Sequence, residues 1–170
     1  MCLAIFSRYI GQIHFDTQVE MKEVRTEIEI ESSPLLAWKV LTDFSSYDKW
    51  NPVIVRITGL AKLGEKLEIT LKTHRGKTRT YRPVITKVEE NNELRWKGSS
   101  SIPGFLNGER IFTFNRVTSN TIRLTHLELF SGLGAILGGS RMMEDVRLNL
   151  AEMNIAFKKK VEQESKGHVE

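Results

Sequence analysis

The chain has 170 residues, 40% hydrophobic and 27% charged, with a formal net charge of +4, a balance that suits one soluble globular domain. A charge this mildly basic does not by itself select nucleic acid or anionic lipid as a partner. The single cysteine, Cys2, excludes an intrachain disulfide and a cysteine-rich zinc site.

No apolar run approaches the ~20 residues of a membrane span. The first residues, Met1 to Phe6, are apolar but soon interrupted by Arg8, Gly11 and Asp16, unlike a secretory signal. A cytoplasmic location is the expectation. Residues 1–20 show no clear period and read as an extension. Residues 21–164 read as the domain, and 165–170 as a polar tail.

From Glu23 to Glu31 apolar and charged residues alternate, with Val24, Ile28 and Ile30 on one face, which predicts a half-buried strand. Ser33 followed by Pro34 marks a helix start, and Leu36 to Leu41 supplies a short apolar helix. Asp43 is placed to cap a second helix from Phe44 to Lys49, ended by Trp50-Asn51-Pro52 because Pro52 biases Asn51 away from helix.

Six strands are predicted next: Val53–Thr58, Lys66–Lys72, Thr80–Glu89, Glu93–Gly98, Gly108–Asn115 and Thr121–Phe130. Pro83 inside the third predicts an edge or a bulge there. The connections are short, so neighbours are expected to run antiparallel. Finally Met143, Val146, Leu150, Met153, Phe157 and Val161 recur every three or four residues, one face of a helix from Gly138 to Gln163. Such a helix needs an apolar surface, and a curved sheet supplies one with room for a ligand between them.

This order resembles the START-like helix-grip superfamily, also called SRPBCC, and within it the polyketide cyclase/dehydrase and lipid-transport group. The resemblance covers about 21–162. It is carried by Ser33 to Pro52, Gly64, Leu94-Arg95-Trp96, the Phe112/Phe114 strand, Leu124 to Glu128, Ser131-Gly132, and Ala151-Glu152-Met153-Asn154. It implies an α+β helix-grip fold: a curved seven-stranded antiparallel sheet wrapped around a long C-terminal helix, with two short helices after the first strand. It also implies binding, with transport as an extension of it, of a hydrophobic or amphipathic small molecule such as a lipid, isoprenoid or polyketide. A cyclase or dehydratase, or a ligand-free interaction or stress-related protein, are the alternatives.

Alternation puts Leu124, His126 and Glu128 on the expected concave face. A hairpin through Ser119 is expected to set Phe112 opposite Leu124, Arg110 opposite His126 and Gly108 opposite Glu128, with Arg110 reaching Glu128 diagonally. Arg110, His126 and Glu128 would then orient the polar end of an amphipathic ligand, or satisfy one another as a buried cluster. His126 or Glu128 is the candidate general base if the protein is an enzyme. Trp96, Phe112 and Phe114 from the sheet, with Met143, Val146 and Leu150 from the helix, are the expected apolar contacts. Each also serves as core.

Ser131 to Ser140 misses the G-x-G-x-x-G dinucleotide pattern and precedes no further strand. It reads as a flexible linker. Its Leu133, Ala135, Ile136 and Leu137 form a lid over the cavity or a tip that touches a membrane transiently. Four scattered histidines give no metal site, and no cofactor motif is present. The basic run from Lys72 to Arg79 has no interleaved aromatic, so nucleic acid is not an expected partner.

Overall fold

The computed structural model describes residues 21–73 and 76–167, so the expectations for 1–20 lie outside the described residues. The elements are β1 (Lys22–Ile30), α1 (Pro34–Thr42), a 3-10 turn (Phe44–Ser46), α2 (Tyr47–Trp50), β2 (Ile54–Thr58), β3 (Glu68–Lys72), β4 (Thr78–Tyr81), β5 (Val84–Glu89), β6 (Glu93–Ser99), β7 (Asn107–Arg116), β8 (Ile122–Ser131) and α3 (Leu133–Gly167).

The entry to the first short helix follows the local signals, whereas at the second the expected cap, Asp43, makes no side-chain capping bond and its Oδ1 instead accepts from Ser45 Oγ at 2.6 Å. The Leu36 amide donates to the Ser33 side chain at 3.2 Å, and Pro34 sits at the start of α1. At the far end Asn51 is buried, and its Oδ1 accepts from the amides of Val53 and Ile54 at 3.0 and 2.8 Å. That side chain satisfies the two backbone donors exposed where the helix stops and β2 begins.

Among the described residues the strands number eight rather than seven. The predicted strand Thr80–Glu89 divides at Arg82-Pro83 into β4 and β5, because Pro83 has no amide hydrogen to continue a ladder. The result is a five-stranded antiparallel sheet in the order β1-β8-β7-β6-β5 and a three-stranded sheet β2-β3-β4. A Lys66–Val84 bridge and the bond from the Leu67 amide to the Pro83 carbonyl, at 2.9 Å, stitch the two together.

The long helix starts earlier and ends later than expected. Leu133 to Gly138 is helical, not a linker, and a break at Gly139 (φ 55°, ψ −161°) separates it from the rest. Only glycine tolerates that conformation well. Helical structure also continues through Gly167, into the expected tail.

One large core holds Ile30, Trp38, Leu41, Tyr47, Ile69, Trp96, Phe112, Phe114, Met153, Phe157 and Val161. A smaller cluster joins Val24, Phe130, Ala135 and Leu150, with Met143 and Val146 packed partly buried against it. The apolar stripe of α3 therefore faces the sheet as its spacing requires. Among the described residues, no helix is long and apolar enough to cross a membrane.

Candidate functional site

The concave face of the five-stranded sheet is ruled into rows, because directly paired residues point to the same side. Phe114 pairs with Leu124, and Phe112 with His126. Trp96 pairs with Arg110, and Arg110 with Glu128. Gly98 pairs with Gly108, and Gly108 with Phe130. The expected register was short by two residues. Pairing persists to Arg116–Ile122, so Arg110 faces Glu128 directly and His126 sits one row deeper, opposite Phe112.

The two inner rows are filled. Phe114 stacks on Phe157 of α3 with ring centroids 6.1 Å apart, and Phe112 stacks on the His126 ring at 4.3 Å. His126 is fully buried. Its Nδ1 lies 2.9 Å from Asn154 Oδ1, Asn154 Nδ2 donates to Thr26 Oγ1 at 3.0 Å, and Thr26 Oγ1 donates to the His126 carbonyl at 3.3 Å. This chain puts the proton on Nδ1. Burial, then the charge of Arg110, holds the His126 pKa well below its ordinary 6.5, against the opposing bond to Asn154. The ring is neutral at pH 7.

The two outer rows border open space. Alongside Gly98 and Gly108, a cavity of about 260 Å³ remains between the two sheets. Trp96, Arg110, Glu128 and Phe130 line it from one side, Leu71, Arg79, Thr80 and Tyr81 from the other, and Leu106 with Ser99 and Ser100 lie toward its mouth. Its surface is mainly apolar. The polar exception is the Arg110–Glu128 ion pair, with Arg110 Nη2 donating to Glu128 Oε2 at 2.7 Å.

Arg110 is only 5% exposed, and its Nε and Nη1 have no hydrogen-bond partner among the described residues. Burial is the largest influence and disfavours its charge, but the charge and hydrogen bond of Glu128, together with Tyr81 and Tyr47, outweigh that and hold the pKa above the ordinary arginine value. Two tyrosines flank it electrostatically. Burial raises the Tyr81 phenol to about 12, so both ring and hydroxyl stay neutral. The Tyr47 hydroxyl is already engaged, donating to the Leu41 carbonyl at 2.6 Å.

Of the ten expected contacts, Trp96, Arg110 and Glu128 line this cavity. Phe112, Phe114, Leu124 and His126 lie in the filled rows, and Leu150, Met143 and Val146 belong to the smaller cluster. No residue of α3 lines the cavity. Sequence reasoning missed Tyr81, Phe130 and Leu106. It also missed the signal that locates the space: Gly98 and Gly108 fall in phase with Trp96 and Arg110, and in-strand glycine often marks a close approach or a gap. Among the described residues no group of His, Cys, Asp and Glu is arranged to hold a metal ion.

The profile of a family described as polyketide cyclase / dehydrase and lipid transport matches residues 21–162. Among solved structures, a START superfamily protein from Mycobacterium smegmatis superposes with a TM-score of 0.69 at 19% identity, covering 83% of this chain and 97% of that one. Norcoclaurine synthase from Thalictrum flavum, a point mutant in complex with a transition state analogue, gives 0.68 at 11%, covering 86% and 98%. The Zhui aromatase/cyclase from Streptomyces sp. R1128 gives 0.66 at 14%, covering 89% and 97%. At these identities the likeness is one of fold. No curated protein matches the chain.

Proposed function

Because this chain belongs to the polyketide cyclase/dehydrase and lipid-transport family, we propose that it binds a small amphipathic molecule in the cavity between its two sheets. The observation that carries this reading is the buried Arg110–Glu128 pair on the wall of an otherwise apolar, open-mouthed space. Apolar burial at ~25 cal/mol per Å² supplies the affinity. Arg110 and Glu128 together offer a donor and an acceptor to one polar end of the ligand. At about 260 Å³ the space falls just below the ~300–1,000 Å³ usual for ligand sites. It suits a compact ring system, or the leading part of a longer molecule whose remainder lies outside the mouth. A lipid, isoprenoid or polyketide fragment meets that description.

An enzymatic reading is favoured by one specific feature, the Glu128 carboxylate at the cavity wall. It could take a proton next to a ligand carbonyl, with Arg110 beside the developing oxyanion. Fully buried His126 has no comparable access.

Native mass spectrometry of the protein purified from its own host, followed by organic extraction, tests the binding reading. A co-purifying amphipathic compound that is lost when the cavity is filled supports it. A protein that is empty from its host, and stays empty across a panel of amphipathic compounds, defeats it.

A further inference from the structure

Five of the eleven exposed large apolar side chains among the described residues gather at one rim of the cavity. Ile102 and Phe105 stand on the loop joining β6 to β7, at 63% and 38% exposure. Leu133, Ile136 and Leu137 stand on the first turns of α3, at 64%, 49% and 76%. The loop and the helix start are locked together. The Gly134 amide donates to the Phe105 carbonyl at 2.6 Å, and a Cβ at Gly132 would come within 2.6 Å of the Gly104 and Phe105 carbonyl oxygens. Glycine at 132, with φ +97°, is what lets the two backbones meet.

This platform adjoins the cavity mouth. Leu106, next to Phe105, lines the cavity and also packs against Gly134. Across the mouth, Arg79 of β4 is exposed and lines the same cavity. Arg141, just past the break at Gly139, is exposed too. Apolar tips flanked by exposed arginines are the composition of a surface that seats in the headgroup region of an anionic bilayer. The two exposed arginines favour an anionic bilayer over a neutral one.

We propose that the Ile102–Phe105 loop and the Leu133–Leu137 turns form a docking surface for an anionic lipid membrane, with the cavity mouth held at the bilayer interface. This goes beyond the cavity reading and does not depend on it, since the docking surface lies outside the cavity. It gives a route by which an apolar ligand could pass between membrane and cavity without crossing water.

The test is sedimentation of the full chain with vesicles of phosphatidylcholine alone and of phosphatidylcholine mixed with phosphatidylserine. The expected result is binding to the mixed vesicles, weaker binding to the neutral ones, and release as salt is raised. Leu137→Asp and Ile102→Asp should each weaken partition by about tenfold or more, from lost apolar burial and added repulsion. Leu63→Asp, at an exposed leucine elsewhere (67%), should bind as the parent does. Circular dichroism and an unchanged unfolding midpoint confirm that the variants fold. The proposal is overturned if the parent ignores mixed vesicles, if the rim variants bind like the parent, or if Leu63→Asp is equally impaired. It is also overturned if ultracentrifugation shows a dimer that the rim variants dissolve, which would make the patch a self-interface. Ligand retention by the cavity is measured separately, so either reading can fail alone.

Discussion

Arg110 and Glu128 are cross-strand partners whose side chains meet at 2.7 Å, with Arg110 buried and Glu128 15% exposed at the cavity wall. Removing one partner of such a pair strands the other. Glu128→Leu leaves an arginine cation buried without a counter-charge and should cost about 3 kcal/mol, the lower end of the range for a broken buried pair. Arg110→Met should cost less, because Glu128 keeps an edge toward the cavity. The double variant Arg110→Met with Glu128→Leu should recover most of the loss, since two apolar groups need no partner. Urea unfolding of the three variants checks this. If the double variant is as unstable as the sum of the singles, the pair is not coupled and the geometry has been misjudged.

Filling the gap at Gly108 separates binding from folding. A Cβ there meets Phe130 Cε1 at 3.6 Å and Glu128 Oε1 at 3.8 Å, ordinary contact distances, so one methyl fits. Valine adds atoms that must enter the cavity, and a β-branched residue suits a strand. Gly108→Val should therefore leave stability within about 1 kcal/mol while weakening amphipathic ligands by tenfold or more, measured by displacement of a fluorescent fatty-acid analogue. Equal affinity in parent and variant would move the binding site elsewhere.

Asn154 is a polar residue on the buried face of α3, and its amide ties His126 to Thr26. Asn154→Ala leaves the His126 ring and the Thr26 hydroxyl without that bridge. The expected cost is about 1–3 kcal/mol of stability, with the affinity for a cavity ligand unchanged because Asn154 does not line the cavity. A parallel loss of affinity and little loss of stability would instead assign this chain of hydrogen bonds to the binding site.

The fold was legible because its signals are local. Alternation from Glu23 to Glu31, the Ser33-Pro34 start and the three-four spacing after Met143 each survive in the structure. The site was less legible because it depends on pairing register. Choosing Phe112 opposite Leu124 kept every side chain on its correct face, since a shift of two preserves the pleat. It nevertheless moved His126 toward the opening and Glu128 against a glycine. The apolar stripe on α3 likewise says which face is covered, not whether a gap lies beneath it. The gap is set by Gly98 and Gly108, by Tyr81, and by the sheet that separates at Pro83. None of these stands out from apolar periodicity.

His126 should make stability depend on pH in a defined direction. The ring is buried in its neutral form, with its folded pKa pushed below the ordinary 6.5 by burial and by Arg110. Below about pH 6.5 the unfolded chain takes up a proton at this position that the folded chain does not. Stability is therefore full above that pH and falls as the pH drops toward the folded pKa. The steepest slope available to one group is about 1.4 kcal/mol per pH unit. Urea midpoints measured from pH 7.5 to about pH 5, above most carboxylate titrations, should fall for the parent chain. His126→Gln, which can still bond to Asn154, should flatten the profile. A parent profile as flat as that of His126→Gln would mean that the buried ring is protonated without penalty, and the neutral, Asn154-bonded imidazole described above would have to be abandoned.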